Sequence, residues 1–222
     1  MGMIRYLTWM GMLAFWAASP SEASQQKEWC GTLGKRSIVI RNEFLFFPPE
    51  REGDSWTAGG SNASPTQCDQ KLKSVVLEFY YPTMEAAGAR HAFDDPDPRH
   101  VQLALTVLPA AYSRVILDTR LARYVPGYRE KESTDKKYEL FAVRSVDGKS
   151  KVETLWRTSG KGETDLIVVC RWIDQEASST CTLNFVRLDI PAEINVRFRY
   201  NMLSEWPEIM TQANVLIDSL HK

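Results

Sequence analysis

Apolar and polar residues alternate along much of this chain, and the period is mostly two. Val101, Leu103, Leu105 and Val107 are separated by Gln102, Ala104 and Thr106, the signature of a half-buried strand. Ser37-Ile38-Val39-Ile40, Phe44-Leu45-Phe46-Phe47 and Ser74-Val75-Val76-Leu77-Glu78-Phe79-Tyr80 are β-branched and aromatic runs that read as further strands. The second is stopped by Pro48-Pro49 and the third by Pro82. Beyond residue 137 the pattern is denser. Strands are expected at 138–146, 152–158, 164–173, 179–188 and 193–200, the last with Ile194, Val196, Phe198 and Tyr200 on one face. Asp147-Gly148 marks a hairpin turn, and Ser159-Gly160-Lys161-Gly162 marks the next. No crossover helices separate these five, so they must form an antiparallel meander.

The period changes to that of a helix only twice. Ile116, Leu117, Arg120, Leu121 and Tyr124 fit one helical face, so 113–124 is read as helix, although Val115-Ile116-Leu117 could also be a short strand. At the C-terminus Trp206, Ile209, Met210, Ala213, Leu216, Ile217 and Leu220 form an apolar stripe, with Ser204 placed to cap it and Glu205 and Glu208 in the first turn. The fold class is therefore α+β, an antiparallel meander with an amphipathic C-terminal helix laid on it. Residues 24–125 are read as an N-terminal lobe with two long loops, at 50–70 and 83–100, and 126–222 as the C-terminal sheet and helix, expected to form one continuous domain with that lobe. Residues 126–136 are the candidate boundary.

The first 23 residues stand apart. Arg5 precedes an apolar run at 6–18, 13 residues long, and Ser21 and Ala23 supply the small residues a signal peptidase needs. Spanning a bilayer takes about 20 apolar residues, so the segment reads as a cleavable signal peptide, cut after Ala23, rather than as an anchor. Export makes the four cysteines a disulfide framework. A hairpin folded at 174–177 would set Cys170 opposite Cys181, which leaves Cys30 to pair with Cys68 and tie the 50–70 loop to the polar entry segment 25–34. No cysteine pair has zinc-ligand spacing.

Composition narrows the function classes. Apolar residues make up 44%, charged residues 25%, and the formal net charge is -1, with no basic block that would point to nucleic acid or a membrane surface. No nucleophile elbow, zinc-protease motif or phosphate loop is present, and Gly31-Thr32-Leu33-Gly34-Lys35 has the wrong glycine spacing. His91 and His100 flank Asp94, Asp95 and Asp97, but this proline-stiffened stretch reads as a solvated loop. No enzyme activity and no cofactor are expected. Trp156, Trp172 and Trp206 read as core residues. Trp56 lies in a polar loop with no core pattern around it, and Trp and Arg are frequent interface anchors. Arg51, Asp54 and Trp56, with the acidic loop at Asp94, Asp95 and Asp97, are thus the candidate partner contacts.

From about Leu166 onward the chain resembles periplasmic immunity proteins encoded beside type VI secretion lipase effectors. The resemblance lies in the apolar run ending at Cys170, the second cysteine at 181, Phe185, the strand ending Val196-Arg197-Phe198-Arg199-Tyr200, and Met202-Leu203-Ser204-Glu205-Trp206-Pro207-Glu208-Ile209 with Leu216-Ile217. Ile40-Arg41-Asn42-Glu43-Phe44-Leu45-Phe46-Phe47-Pro48-Pro49-Glu50, followed by Trp56, resembles the start of the same pattern. Where that pattern commonly has a histidine after the second cysteine, this chain has Thr182-Leu183-Asn184. The resemblance implies a periplasmic protein, monomeric when free, that binds and neutralises a phospholipase toxin. It transfers no contact residue. The alternative is a periplasmic domain that binds a small molecule or envelope component, which would need an apolar pocket lined by convergent polar groups.

Overall fold

A computed structural model describes residues 28–53, 68–88, 97–113, 115–131, 136–147, 150–172 and 179–220. The signal segment and the turn at 174–177 lie outside them. The five expected strands form consecutive neighbours of one sheet: β8 (Leu140–Asp147), β9 (Ser150–Thr158), β10 (Thr164–Trp172), β11 (Thr180–Arg187) and β12 (Ala192–Arg199). The sheet then continues from β12 to β6 (His100–Val107) and β4 (Leu72–Tyr80), every pairing antiparallel. Short strands finish its ends, β7 (Lys136–Lys137) on one side and β3 (Glu50–Arg51) and β5 (Glu85–Ala86) on the other. A separate hairpin of β1 (Glu28–Leu33) and β2 (Arg36–Arg41) packs onto the core.

Because neighbouring side chains on a strand point to opposite faces, the ladder register assigns every residue of the sheet to one of two sides. Leu183 pairs with Val196 and Phe185 with Ile194 on one side, and Leu77 pairs with Leu103 in the same row system. That face is closed by α4 (Trp206–Ser219), which buries Trp206, Ile209, Ala213, Leu216 and Ile217, and by Leu33, Ile38 and Ile40 of the hairpin. Val39 N donates to Leu220 O at 2.8 Å, so β2 accepts the end of the helix as part of its own edge. The opposite face is covered only in part. There α1 (Ala110–Ser113), α2 (Ile116–Tyr124) and α3 (Tyr128–Lys131) follow β6, and Ile116, Leu117, Leu121, Val125 and Tyr128 pack on Val152, Trp156, Ile167 and Val169.

Cys170 and Cys181 are directly opposed in the β10–β11 ladder and form a disulfide, and Cys30 is joined to Cys68. Trp156, Trp172 and Trp206 are all buried, as their positions on the apolar pattern imply.

Several elements differ from the sequence expectation. Residues 44–47 are not a strand: a 3-10 turn at Asn42–Phe44 carries Phe44 and Leu45 together into the core, and Leu45 pairs with the sheet as an isolated bridge to Leu77. Two adjacent buried residues cannot share one face of a ladder, so the run is apolar without being extended. The entry segment contains a strand, β1. Its apolar signal is thin because Gly31 faces Leu72, where a Cβ would come within 2.7 Å of the leucine side chain. Tyr138 and Glu139 are a tight turn with φ of 53° and 66° rather than the start of β8. The β8–β9 ladder closes at Asp147 and Ser150, which sets that connection one residue later than Asp147-Gly148. Ser204 does not cap the last helix. It belongs to a 3-10 turn at Tyr200–Glu205, and α4 starts at Trp206, where Pro207, which has no N–H, suits a first turn whose N–H groups find no intrahelical acceptor.

Candidate functional site: an arginine- and tyrosine-lined groove

The half-open face of the sheet forms a groove of about 590 Å³ beside α2. Its floor is made of ladder rows. Val169 pairs with Thr182 and Arg171 with Thr180 across β10 and β11, while Thr182 pairs with Arg197 and Asn184 with Asn195 across β11 and β12. These are the alternate residues to the Leu and Val positions that fill the closed face. Its wall is α2, which presents Ile116, Thr119, Arg120, Arg123 and Tyr124, with Tyr112 of α1 at the rim. Four lining residues are arginines and none is acidic.

The wall is pinned at both ends by polar contacts. Arg120 Nη1 donates to Asn184 Oδ1 at 2.9 Å, and its guanidinium forms a two-pronged ion pair with Glu193, with Nη2 to Oε2 at 2.9 Å. Asn184 in turn donates from Nδ2 to the carbonyls of Ile167 (3.2 Å) and Thr182 (3.0 Å). On the far side Asp118 Oδ1 accepts from Thr164 Oγ1 at 2.6 Å, Thr164 N at 3.2 Å and Tyr128 OH at 2.7 Å. Burial would raise the Asp118 carboxyl, but these hydrogen bonds and the Arg129 charge outweigh it and hold the pKa below the ordinary carboxylate value. An ionised, three-fold hydrogen-bonded carboxylate fixes α2 against β10.

Arg197 is only partly exposed on the floor, and its Nη2 lies 3.4 Å from Thr180 Oγ1. Burial and the neighbouring charge of Arg199 push its pKa below the usual arginine value, against the attraction of Glu78. Tyr112 and Tyr124 are 47% and 40% exposed at the rim, beside Val115 at 48%. Chemically the groove can hold an anionic, partly apolar group: guanidinium forks for carboxylate, Thr and Asn for neutral hydrogen bonds, and aromatic faces at the edge.

Of the residues expected at a partner surface, Arg51 and Asp97 lie among the described residues, and neither lines the groove. Arg51 is only 2% exposed; its Nη1 hydrogen-bonds Gln70 Oε1, and its guanidinium lies over the Trp29 ring at 5.8 Å. It is a packed residue of β3 rather than the tip of a loop. Asp54, Trp56, Asp94 and Asp95 lie outside the described residues, as does His91. Asp97 accepts from Arg99 N at 2.9 Å and Nε at 3.1 Å, and these bonds hold its pKa down at about 2. His100 is buried with its Nε2 2.9 Å from Glu78 Oε2, so the two described members of the His–Asp stretch serve separate partners. Among the described residues no three His, Cys, Asp or Glu side chains gather to hold a metal ion.

The groove was missed because its signal is spread over five elements. Arg120 and Arg123 sit one turn apart on a helix, and Arg171, Thr180, Thr182, Asn195 and Arg197 are polar alternates of three strands. Each looks like ordinary solvated surface until the register brings them together.

No family profile matches the chain, and no curated protein matches it. A solved structure does. The chain is similar to Smlt3025, described as an immunity protein of the Stenotrophomonas maltophilia type IV secretion system, with a TM-score of 0.54 and 12% identity over 88% of this chain and 94% of that one. At this identity the likeness is one of fold, and it spans nearly the whole of both chains. The chain also aligns with the Neisseria meningitidis iron-regulated outer membrane lipoprotein FrpD, at a TM-score of 0.36 and 10% identity over 79% of this chain and 82% of that one, which is too distant to support an argument. No helix among the described residues is long and apolar enough to cross a membrane.

Proposed function

We propose that this chain is an exported immunity protein that binds and neutralises a periplasm-acting lipase effector of type VI secretion. The observation that carries the reading is the near full-length likeness of fold to a secretion-system immunity protein. The resemblance of residues 166–217 to immunity proteins of lipase effectors supports the narrower target. Two disulfides fit maturation in an oxidising compartment, which a cytosolic inhibitor would not need. The groove is open and floored by charged and polar side chains, whereas a small-molecule carrier would enclose its ligand in a mostly apolar pocket.

Protein from a periplasmic extract should begin near Ser24 by mass, and the purified mature chain should bind the lipase effector encoded beside its gene with a nanomolar Kd by calorimetry. Failure to bind that effector, with binding to a toxin of another chemistry, would reject the lipase assignment and retain immunity. Retention of the full-length precursor in the membrane would reject the export reading. The segment around Asp54 and Trp56 belongs to the same proposal: Trp56→Ala is expected to weaken binding by roughly 30- to 1,000-fold without unfolding the chain.

A further inference from the structure

A chain with a formal net charge of -1 lines one concave surface with four arginines, while the nearest carboxylates, Glu193 against Arg120 and Glu78 near Arg197, lie behind that lining. Arg120 is held by Glu193 and acts as part of the wall. Arg123 and Arg171 are exposed at the sides, and Arg197 is partly buried on the floor, where burial and the Arg199 charge outweigh the attraction of Glu78. A guanidinium in such a place is stabilised by an incoming carboxylate more than one in open water, because the pair interacts through a lower local dielectric. The rim adds Tyr112 and Tyr124, residue types that supply large contact area at small entropic cost.

We infer that the groove between α2 and strands β10–β12 receives an acidic segment of the partner protein, whose carboxylates meet Arg123, Arg171 and Arg197 while Tyr112 and Tyr124 cover its apolar atoms. This rests on the immunity reading above and names the surface through which it acts. A protein segment suits the site better than a membrane. The arginines line a concavity that a flat lipid surface cannot follow, and Thr182 and Asn195 on the floor offer neutral hydrogen bonds that suit a peptide. Steering by the positive groove should also make association faster at low salt.

The test uses the mature chain, the double variant Arg123→Glu/Arg171→Glu, the variant Tyr124→Ala, and Lys161→Glu as a control on a turn that does not line the groove. Each is titrated with the lipase effector encoded beside the gene, at two ionic strengths, and melted to check the fold. The double variant should bind about 100-fold more weakly and lose most of its salt dependence, Tyr124→Ala about 10-fold more weakly, and Lys161→Glu as the wild type does. Should the double variant fail to fold, Arg123→Glu alone is read in the same way. Wild-type affinity in folded groove variants would remove the groove and leave the immunity reading intact. No binding by the wild-type chain would remove both. Binding of the wild-type chain to phosphatidylglycerol vesicles at physiological salt, abolished in the double variant, would assign the groove to a lipid surface and overturn the inference.

Discussion

Leu183 and Thr182 are neighbours on β11, yet they belong to different parts of the molecule. Leu183 is wholly buried against the side closed by α4, and Thr182 lies on the floor of the open groove. The same contrast runs along β10 and β12, where Val168 and Val196 face the helix and Arg171 and Arg197 face the groove. One sheet thus carries a stabilising face and a face available for recognition, with only half of the second given over to packing under α2. Strands β10 and β12 and helix α2, rather than loops, hold the arginines at fixed spacing. Such placement limits the entropy lost when a partner binds.

The comparison breaks most sharply at Trp156, where the second face is closed. This residue is fully buried between Tyr128, whose ring centroid is 6.4 Å away, and Phe141 at 5.7 Å. Trp156→Ala should cost about 3–5 kcal/mol and loosen α2, and with it the groove wall. Denaturant unfolding together with amide exchange over 116–124 would show both effects; a loss of stability without faster exchange there would separate the wall from that core. Next come the two neighbours. Leu183→Ala should cost about 2–5 kcal/mol, while Thr182→Ala should stay within about 0.5 kcal/mol. Similar losses at both positions, measured by urea unfolding, would mean that the groove floor is structural after all.

A smaller effect is expected at Glu153, a charge on the closed face. Its carboxylate accepts from Lys137 Nζ at 3.0 Å, Arg144 Nε at 2.9 Å and Tyr200 OH at 3.0 Å. Burial raises its pKa, but these bonds and the Lys137 charge outweigh burial and leave it below the ordinary value of 4.5. Because the folded pKa is the lower one, the stabilisation is complete above pH 4.5 and disappears as pH falls through the folded value. Glu153→Gln should cost about 2–3 kcal/mol at pH 7, less than a wholly buried pair because Arg144 is mostly exposed, and the difference from wild type should shrink below pH 4. A difference that is constant from pH 7 to pH 3 would contradict this assignment. Smallest of all is the stability effect of Arg123→Glu, expected within about 0.5 kcal/mol because the side chain is exposed on α2.

The closed face was the legible one. Period-two runs at 101–107 and 193–200 and the stripe on the last helix can each be read locally, and the opposed cysteines follow from a single hairpin. Elements with mixed local signals were harder. Phe44 to Phe47 look extended until it is known that the adjacent Phe44 and Leu45 are buried while Phe47 is exposed, and β1 has too few apolar residues to announce itself beside Gly31. The groove was least legible, since Arg171 and Arg197 stand 26 positions apart in the chain and meet only through the register of β10, β11 and β12. Arg51 shows the converse: a charged residue in a polar stretch that the fold turns inward toward Gln70 and Trp29.

Inhibition on a lipid surface tests the central claim most directly, because it registers blockade of either the toxin's active site or its membrane-docking face. Phospholipid vesicles, the lipase effector that the proposed function expects beside the gene, and increasing amounts of the mature chain would be combined while fatty-acid release is followed. The account predicts that hydrolysis falls linearly and stops near one chain per toxin, and that the Arg123→Glu/Arg171→Glu variant needs a large excess to do the same. Undiminished hydrolysis at a tenfold excess of the folded wild-type chain would contradict it.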